Sequence, residues 1–314
     1  MRVFKGFDDI LEIPNPVLTI GTFDGVHLGH QKIIDQLNRE AEKVGGESVL
    51  FTFYPHPRMV LYPDSHGLKL IQTQAEKIDK LRRMGLQNVI IHPFSTEFSR
   101  LSALEFTRDY LVNRLNVKKM VIGYDHQFGK NREGNIKFLQ DVSETYDFEV
   151  IEISAEEVDE VNISSTKIRR TIEAGEMELA RKYMGEPFEL FGKIIDGQAI
   201  GRELGYPTAN IDIESEIKLI PKFGVYAANV LLSNGQIKEG MMNIGVRPSV
   251  GMEKNNICIE VHILDFNENL YGEHITIQLL SRFRSEMKFD SLFELKEQLN
   301  IDEKNIRNYF TDIR

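Results

Sequence analysis

"GTFDGVHLGHQKII", Gly21–Ile34, joins an apolar run to a helix-period segment, and its reading decides the fold of the first half of the chain. The run that leads into it, PVLTIGTF, is nearly continuously apolar, as expected of a strand buried on both faces of a parallel sheet. Beyond it, Ile33, Ile34, Leu37, Ala41 and Val44 line one stripe of a helix that begins near Gly29 or His30. A helix N-terminus that follows a strand and a glycine turn presents unpaired backbone N–H groups and the positive end of a helix dipole, a ready phosphate site. Gly21, Gly25 and Gly29 let a ligand approach the backbone closely, and the imidazoles of His27 and His30 can donate hydrogen bonds to phosphoryl oxygens. Two plainer readings of the His-x-x-His pair are metal binding, for which the sequence offers no further ligand cluster, and simple capping.

Working outward, the alternation of strand and helix continues to about Tyr183. ESVLFTF, NVIIHPF, KKMVIGY and FEVIEIS read as further buried strands. Between them, TQAEKIDKLRRMG opens with Thr73 and Glu76 at capping-box spacing and closes on Gly85, and SALEFTRDYLVNRL opens likewise with Ser102 and Glu105. This pattern predicts a doubly wound, Rossmann-like α/β domain, whose ligands lie beyond the carboxyl ends of its strands.

After Glu186-Pro187 the texture changes. ELFGKIIDGQAIGRELGYPTANIDI is rich in turn residues, GVYAANVLLSNGQIKEGMMNIG carries a hairpin signal at Asn234-Gly235, and NICIEVHILDF and EHITIQLLSRF are strongly β. FDSLFELKEQLNIDEKNIRNYF returns to helix, with Ser291 and Glu294 as a capping box. The expectation is a small antiparallel β-barrel closed by a C-terminal helix, with domains over residues 1–185 and 186–314.

Composition sets outer bounds. The formal net charge of −10 gives no global pull toward nucleic acid or an anionic membrane, so neither is expected as a partner, and an anionic substrate must be captured locally. Cys258 is the only cysteine, which excludes intramolecular disulfides and thiolate zinc sites. MRVFKGFDDILEIPNP places charges where a signal peptide needs an apolar run, and no apolar stretch approaches the roughly 18 residues of a membrane span, so a cytoplasmic location is expected. The sequence carries no signal of oligomeric state.

GTFDGVHLGH resembles the Gly-x-Phe-Asp-Gly-x-His-x-Gly-His signature of the nucleotidyltransferase superfamily, in particular the adenylyltransferase half of bacterial bifunctional riboflavin kinase/FAD synthetases. The resemblance implies that Gly21, Phe23, Asp24, Gly25, His27 and His30 surround the nucleotide phosphates. The reaction it implies is attack of an FMN phosphate oxygen on the α-phosphorus of ATP, in which positioning and charge neutralisation carry most of the catalysis. YPHP at Tyr54–Pro57 is similar to the family's Pro-His-Pro after the second strand. GYDHQFGKNREG, Gly123–Gly134, resembles its Gly-x-Asp-x-x-Phe-Gly-Lys-x-Arg-x-Gly, which implies Asp125 as a polar anchor and Lys130 and Arg132 as phosphate contacts. The same stretch is no P-loop: it has one residue too many between its glycines, and Asn131 stands where Ser or Thr is required. His126 and Gln127 replace the aromatic or Arg of many relatives. NISSTKIRR, Asn162–Arg170, resembles Ile-Ser-Ser-Thr-x-Ile-Arg. There Ser164, Ser165 and Thr166 can cap a helix or donate to triphosphate oxygens, with Arg169 as a clamp, the alternative being ordinary capping and a solvated basic patch.

In the second half, LGYPTANI, Leu204–Ile211, places Thr208 and Asn210 two apart on an extended chain and so on one face. A hydroxyl beside an amide oxygen suits Mg²⁺, and a Pro-Thr turn capped by Asn is the competing reading. The stretch resembles the Pro-Thr-Ala-Asn motif of riboflavin kinases, which implies that Thr208 and Asn210 hold the metal and that the loop with Gly197, Gly201, Gly205 and Pro207 covers the ATP phosphates. In NICIEVHILDF, Glu260 lies on the face opposite the more uniformly apolar one, either as a solvated strand residue or as a working acid. The run is similar to the riboflavin kinase strand that bears the catalytic glutamate, which makes Glu260 the base that accepts the riboflavin hydroxyl proton. RFRSEMKFDSL is similar to the flavin-side segment, implying flavin contacts from Arg284 and Phe289, and GVYAANV and NIGVRPS follow the same family pattern. Cys258 reads as a small buried hydrophobe and His262 as a neighbour of the site.

Together these resemblances imply a bifunctional enzyme that makes FMN from riboflavin and then FAD from FMN, with ATP as co-substrate and Mg²⁺ in both steps. Two alternatives are a transferase acting on another phosphorylated acceptor and a flavin- or nucleotide-binding regulator without chemistry. The metal ligands and the base weigh against the first, and the presence of His27, His30, Asn210 and Glu260 weighs against the second.

Overall fold

The apolar runs of the first half form β2 (Val17–Ile20), β3 (Ser48–Tyr54), β4 (Asn88–Pro93), β5 (Lys119–Gly123) and β6 (Glu149–Ile153). The computed structural model describes all residues except 8–9, 11, 64–66, 155–162, 198–199 and 247–256. The five strands and a sixth, β1 (Arg2–Lys5), make one parallel sheet in the order β1-β4-β3-β2-β5-β6. The sequence reading missed β1, a four-residue edge strand of which only Phe4 is buried, too short and too polar to carry a buried-strand pattern.

Successive side chains go to opposite faces of the sheet, and both faces are covered. Leu18, Ile20, Val49, Phe51 and Ile90 pack with Phe106, Leu111 and Leu139 on one side. On the other, Val17, Leu50, Val89 and Val121 pack with Ile34, Leu37, Ala41 and Leu81 from the helices Leu28–Lys43 and Gln74–Arg83. From β2 the chain winds one way to β3 and β4, and from β5 the other way to β6, so the order reverses between β2 and β5. A crevice at such a reversal, beyond the strands' carboxyl ends, is where α/β sheets bind ligands. The turns at Gly21 and Gly123 leave β2 and β5 at that end.

Both capping boxes form. Thr73 Oγ1 accepts from the Glu76 amide at 3.2 Å while Glu76 Oε2 accepts from the Thr73 amide at 2.7 Å, and Ser102 and Glu105 repeat the exchange at 3.1 and 2.9 Å. The helix begun at Ala103 widens into π-type turns over Thr107–Val112.

The described chain divides into two compact units, Met1–Ser165 and Thr166–Arg314. The helix Met177–Met184 packs on strands of the second unit.

The second unit is a closed antiparallel barrel in the order β10-β11-β8-β7-β12-β9. Its strands are β7 (Phe188–Ile195), β8 (Ala209–Asp212), β9 (Gly224–Leu231), β10 (Ile237–Val246), β11 (Ile257–Ile263) and β12 (His274–Arg284). β7 occupies the start of the segment that reads as turn-rich: Phe188, Leu190, Gly192 and Ile194 are buried in strict alternation, and Gly192 interrupts the apolar signal. A Cβ there would lie 2.4 Å from the Asp212 carbonyl oxygen, so only glycine allows β7 and β8 to close up. The Asn234-Gly235 hairpin forms, with the Leu232 amide donating to Gln236 O at 2.9 Å. The C-terminal helix Leu292–Asp312 lays Ile306 and Phe310 against Val225, Ala227, Met241 and Leu280 on the barrel's outer wall. Its capping box is half formed: Ser291 Oγ accepts from the Glu294 amide, but the Glu294 carboxylate accepts from Asp290 N instead of Ser291 N.

Two candidate active sites

In the first unit the turn after β2 is shaped by conformations that few residues adopt. Phe23, Gly25 and Val26 have φ of 50°, 87° and 35°. Gly21 is required by close approach, since a Cβ would meet the Phe23 ring at 2.9 Å. This fold-back buries Phe23 beneath His30, whose ring stacks on it at 4.4 Å and on His27 at 3.7 Å. His27 is the N-cap of the helix Leu28–Lys43, and its Nδ1 accepts from the His30 amide at 3.4 Å. The His27 proton is thereby placed on Nε2, as a donor to an incoming anion. Burial, His27, Lys77 and Lys80 hold the His30 pKa well below the usual imidazole range, so this ring is neutral at pH 7. His30 Nδ1 is buried with no hydrogen-bond partner among the described residues, a donor or acceptor left for a ligand.

Asp24 is buried, and its Oδ1 accepts from Ile71 N at 3.0 Å and Gln72 N at 3.3 Å, which fixes the turn against the segment before the helix Gln74–Arg83. Ser165 Oγ donates to the Asp24 carbonyl at 2.9 Å, bringing Ser165 to the same turn. Ser164 is exposed beside it, and Asn162 lies outside the described residues. Thr166, exposed, and Arg169, buried, stand on the helix Ser165–Ala174, across the division between the units.

The loop after β5 is closed by reciprocal amide–carbonyl bonds between Phe128 and Gly134, both at 2.9 Å. Gly129 and Gly134 pack so tightly on Ala103 that a Cβ on either would come within 2.9 Å of it. Asp125, Lys130 and Arg132 are exposed on this loop, and Arg132 holds a φ of 61°. Burial pushes His126 down to about 4, against the pull of Asp125.

In the barrel, Asn210 on β8 is paired directly with Glu260 on β11. Asn210 is buried, and Cys258 Sγ lies 3.7 Å from its Oδ1 and 3.1 Å from Glu260 Oε1. Gly197 covers the Asn210 amide so closely that a Cβ would fall 1.9 Å from Nδ2, and a Cβ on Gly201 would fall 2.2 Å from the Tyr206 carbonyl oxygen. Gly205 takes a φ of 91° in the loop between them. Gln198 and Ala199 of this loop, and Arg247, Pro248 and Ser249 of NIGVRPS, lie outside the described residues.

Two cavities flank Thr208. One, of about 650 Å³, is lined by Arg202, Pro207, Thr208, Val261 and Tyr271 among others. The other, of about 290 Å³, lies between the barrel wall and the C-terminal helix and is lined by Thr208, Asn243, Glu260, His262, Arg284 and Phe289, with Leu295 and Leu299 from the helix. His262 Nδ1 donates to the Pro207 carbonyl at 2.8 Å, pinning the loop that carries Thr208.

A family model described as FAD synthetase matches residues 11–167, and one described as riboflavin kinase matches residues 184–310. The bifunctional riboflavin kinase/FMN adenylyltransferase of Buchnera aphidicola from Schizaphis graminum is 38% identical over 312 residues, covering 99% of both chains. That of Escherichia coli K12 is 35% identical, covering 99% of this chain and 98% of its own. The chain belongs to the bifunctional riboflavin kinase/FMN adenylyltransferase family. A solved structure from Streptococcus pneumoniae, named as a macrolide-efflux protein, has the same fold at a TM-score of 0.88 and 34% identity over 98% of each chain. No helix among the described residues of this chain is long and apolar enough to cross a membrane.

The sequence reading leaves out two charged residues of this chain that the structure brings to the sites. Asp302 is buried and binds the Arg284 guanidinium through both oxygens, at 2.7–3.0 Å, so Arg284 lines its cavity already paired. Lys77 is buried beneath the histidine turn. Both sit in polar, helix-period stretches, and only tertiary contact reveals what they meet.

Proposed function

We propose that the histidine turn of the first unit carries AMP transfer and that the two cavities around Thr208 carry phosphoryl transfer. The family's reactions are transfer of the ATP γ-phosphoryl group to riboflavin, giving FMN, and transfer of AMP from ATP to FMN, giving FAD and pyrophosphate. Residues 1–185 serve the second reaction and 186–314 the first, both in the cytoplasm. The observation that carries the kinase assignment is the position of Thr208 on both cavities, with Glu260 on the smaller. The larger cavity suits ATP, and the smaller, apolar toward the helix, suits the flavin.

In the kinase, Glu260 accepts the proton of riboflavin's terminal hydroxyl as its oxygen attacks the γ-phosphorus. Cys258 donates to Glu260 Oε1 and so orients the carboxylate. Arg284, held by Asp302, and Phe289 border the flavin, while Gly197, Gly201, Gly205 and Pro207 shape the loop over the ATP phosphates. The Thr208 hydroxyl and the Asn210 amide oxygen are hard donors of the kind that would hold Mg²⁺. Such an ion supplies charge neutralisation to the phosphates.

In AMP transfer the reacting groups belong to the substrates, so the protein positions them and stabilises charge. Gly21, Phe23, Asp24 and Gly25 set the turn, and His27 Nε2 and the neutral His30 donate hydrogen bonds to phosphoryl oxygens. Ser164, Ser165 and Thr166 offer hydroxyl donors, Arg169 and Arg132 offer charge, and Asp125 anchors the nucleotide.

The test is chromatography of flavins after incubation of the purified chain with riboflavin, ATP and Mg²⁺. FMN first and FAD later is expected. Accumulation of FMN alone would overturn the assignment of the first unit, and bound but unaltered riboflavin would overturn the kinase assignment.

A further inference from the structure

We propose that Lys77 is a positioning residue for AMP transfer: its buried ammonium ties the turn that carries His27 and His30 to strand β3. The inference rests on the reading of that turn as the AMP-transfer site.

Lys77 lies on the helix Gln74–Arg83 and is 6% exposed. Its Nζ donates to the Thr22 carbonyl at 3.0 Å and to Thr52 Oγ1 at 3.2 Å, and Thr52 Oγ1 itself donates to the Thr22 carbonyl at 3.3 Å. Thr22 stands between Gly21 and Phe23, and Phe23 is the floor on which His30 and then His27 are stacked. A shift of the Thr22 carbonyl therefore moves the ring stack. The Asp24 carboxylate, one turn residue further on, supports the ammonium electrostatically.

An ammonium is a costly group to bury, and an apolar side chain of similar length would fill the space with less desolvation. A cation beneath a turn built to receive phosphates does what such a side chain cannot: it adds positive potential at the turn and, after burial and His27, helps to keep His30 uncharged. The titratable groups around it are Asp24 from the turn, His30 from the helix Leu28–Lys43, Tyr54 at the end of β3, His56 beyond it, and Lys80 on its own helix. Burial brings Lys77 down to about 8, so its charge is lost as the pH rises through the mildly alkaline range.

The experiment compares the full parent chain with Lys77→Met, Lys77→Arg and Thr52→Val, measuring kcat and KM for FAD formation from FMN and ATP across pH. Riboflavin phosphorylation by the same samples is the internal reference. Lys77→Met is expected to lose kcat by roughly 100-fold, the scale of a misplaced catalytic group. The parent's decline in AMP transfer above pH about 8 is expected to vanish in this variant. Lys77→Arg should recover part of kcat without that decline, because a guanidinium stays charged. Should Lys77→Met unfold the first unit, Thr52→Val still reads the clamp, with a smaller loss of kcat expected. A parental kcat in both Lys77→Met and Thr52→Val, or a loss of kcat with the alkaline decline intact, overturns the proposal. His30→Ala run alongside separates the two failures: if it retains AMP transfer, the site reading is wrong and not merely the role of Lys77.

Discussion

Glu260 on β11 and Asn210 on β8 stand directly opposite one another, and the thiol of Cys258 reaches toward both. The acid assigned to the flavin hydroxyl and the amide assigned to the metal are thus held by one strand pairing. Glu260→Gln keeps the shape and removes the base, so FMN formation is expected to fall by at least about 100-fold. FAD formation from supplied FMN, followed by chromatography, is expected to continue at the parental rate. Loss of both activities in a folded chain would contradict two separate sites.

His30→Ala should give the converse result. Removing a preorganised donor to the developing charge is expected to slow AMP transfer by about 100-fold or more, while riboflavin is still phosphorylated and FMN accumulates.

Gly197→Ala tests the cover over Asn210. The added methyl cannot coexist with the Asn210 amide where it now stands, so either the loop or Asn210 must move. The expected outcome is a kinase kcat/KM lower by roughly 10- to 100-fold, with AMP transfer and the melting temperature little changed.

Asp302→Asn keeps the size of the side chain but leaves the Arg284 guanidinium without its charge partner. Breaking a buried pair in this way is expected to destabilise the second unit by about 3 kcal/mol, read by denaturant unfolding. A weaker apparent affinity for riboflavin should accompany it, because Arg284 is then free to rotate out of the cavity wall.

Acid stability follows from two partly exposed imidazoles whose charged forms are poorly solvated. The folded pKa values of His126, about 4, and of His30 are depressed below the unfolded value near 6.5. The unfolded state therefore binds the extra protons, and the stability these groups confer is full above pH about 6.5 and lost as the pH falls toward 4. Thermal unfolding of the first unit is expected to fall steeply across that window. In His126→Phe the fall should be shallower.

Much of this was legible in the residues themselves. The run from the apolar PVLTI into the glycine turn fixed a strand, a turn and a helix N-terminus, since burial on both faces and helical period leave separate marks on sequence. Capping-box spacing located the starts at Thr73 and Ser102, because both halves of each exchange lie within one helical turn. The alternation around Glu260 marked a strand for the same reason: strand periodicity is a local property.

What the tertiary structure alone decided depends on contacts between residues far apart in the chain. β1 is a strand only because β4 offers it an edge, and β7 only because Gly192 admits the Asp212 backbone. The Ser291 capping box is half made because Asp290 competes for the same carboxylate. Lys77 and Asp302 belong to polar helices, and folding carries each into an interior where a charge must find partners. Local pattern records which face a residue is on, but not what the rest of the chain will bring against it.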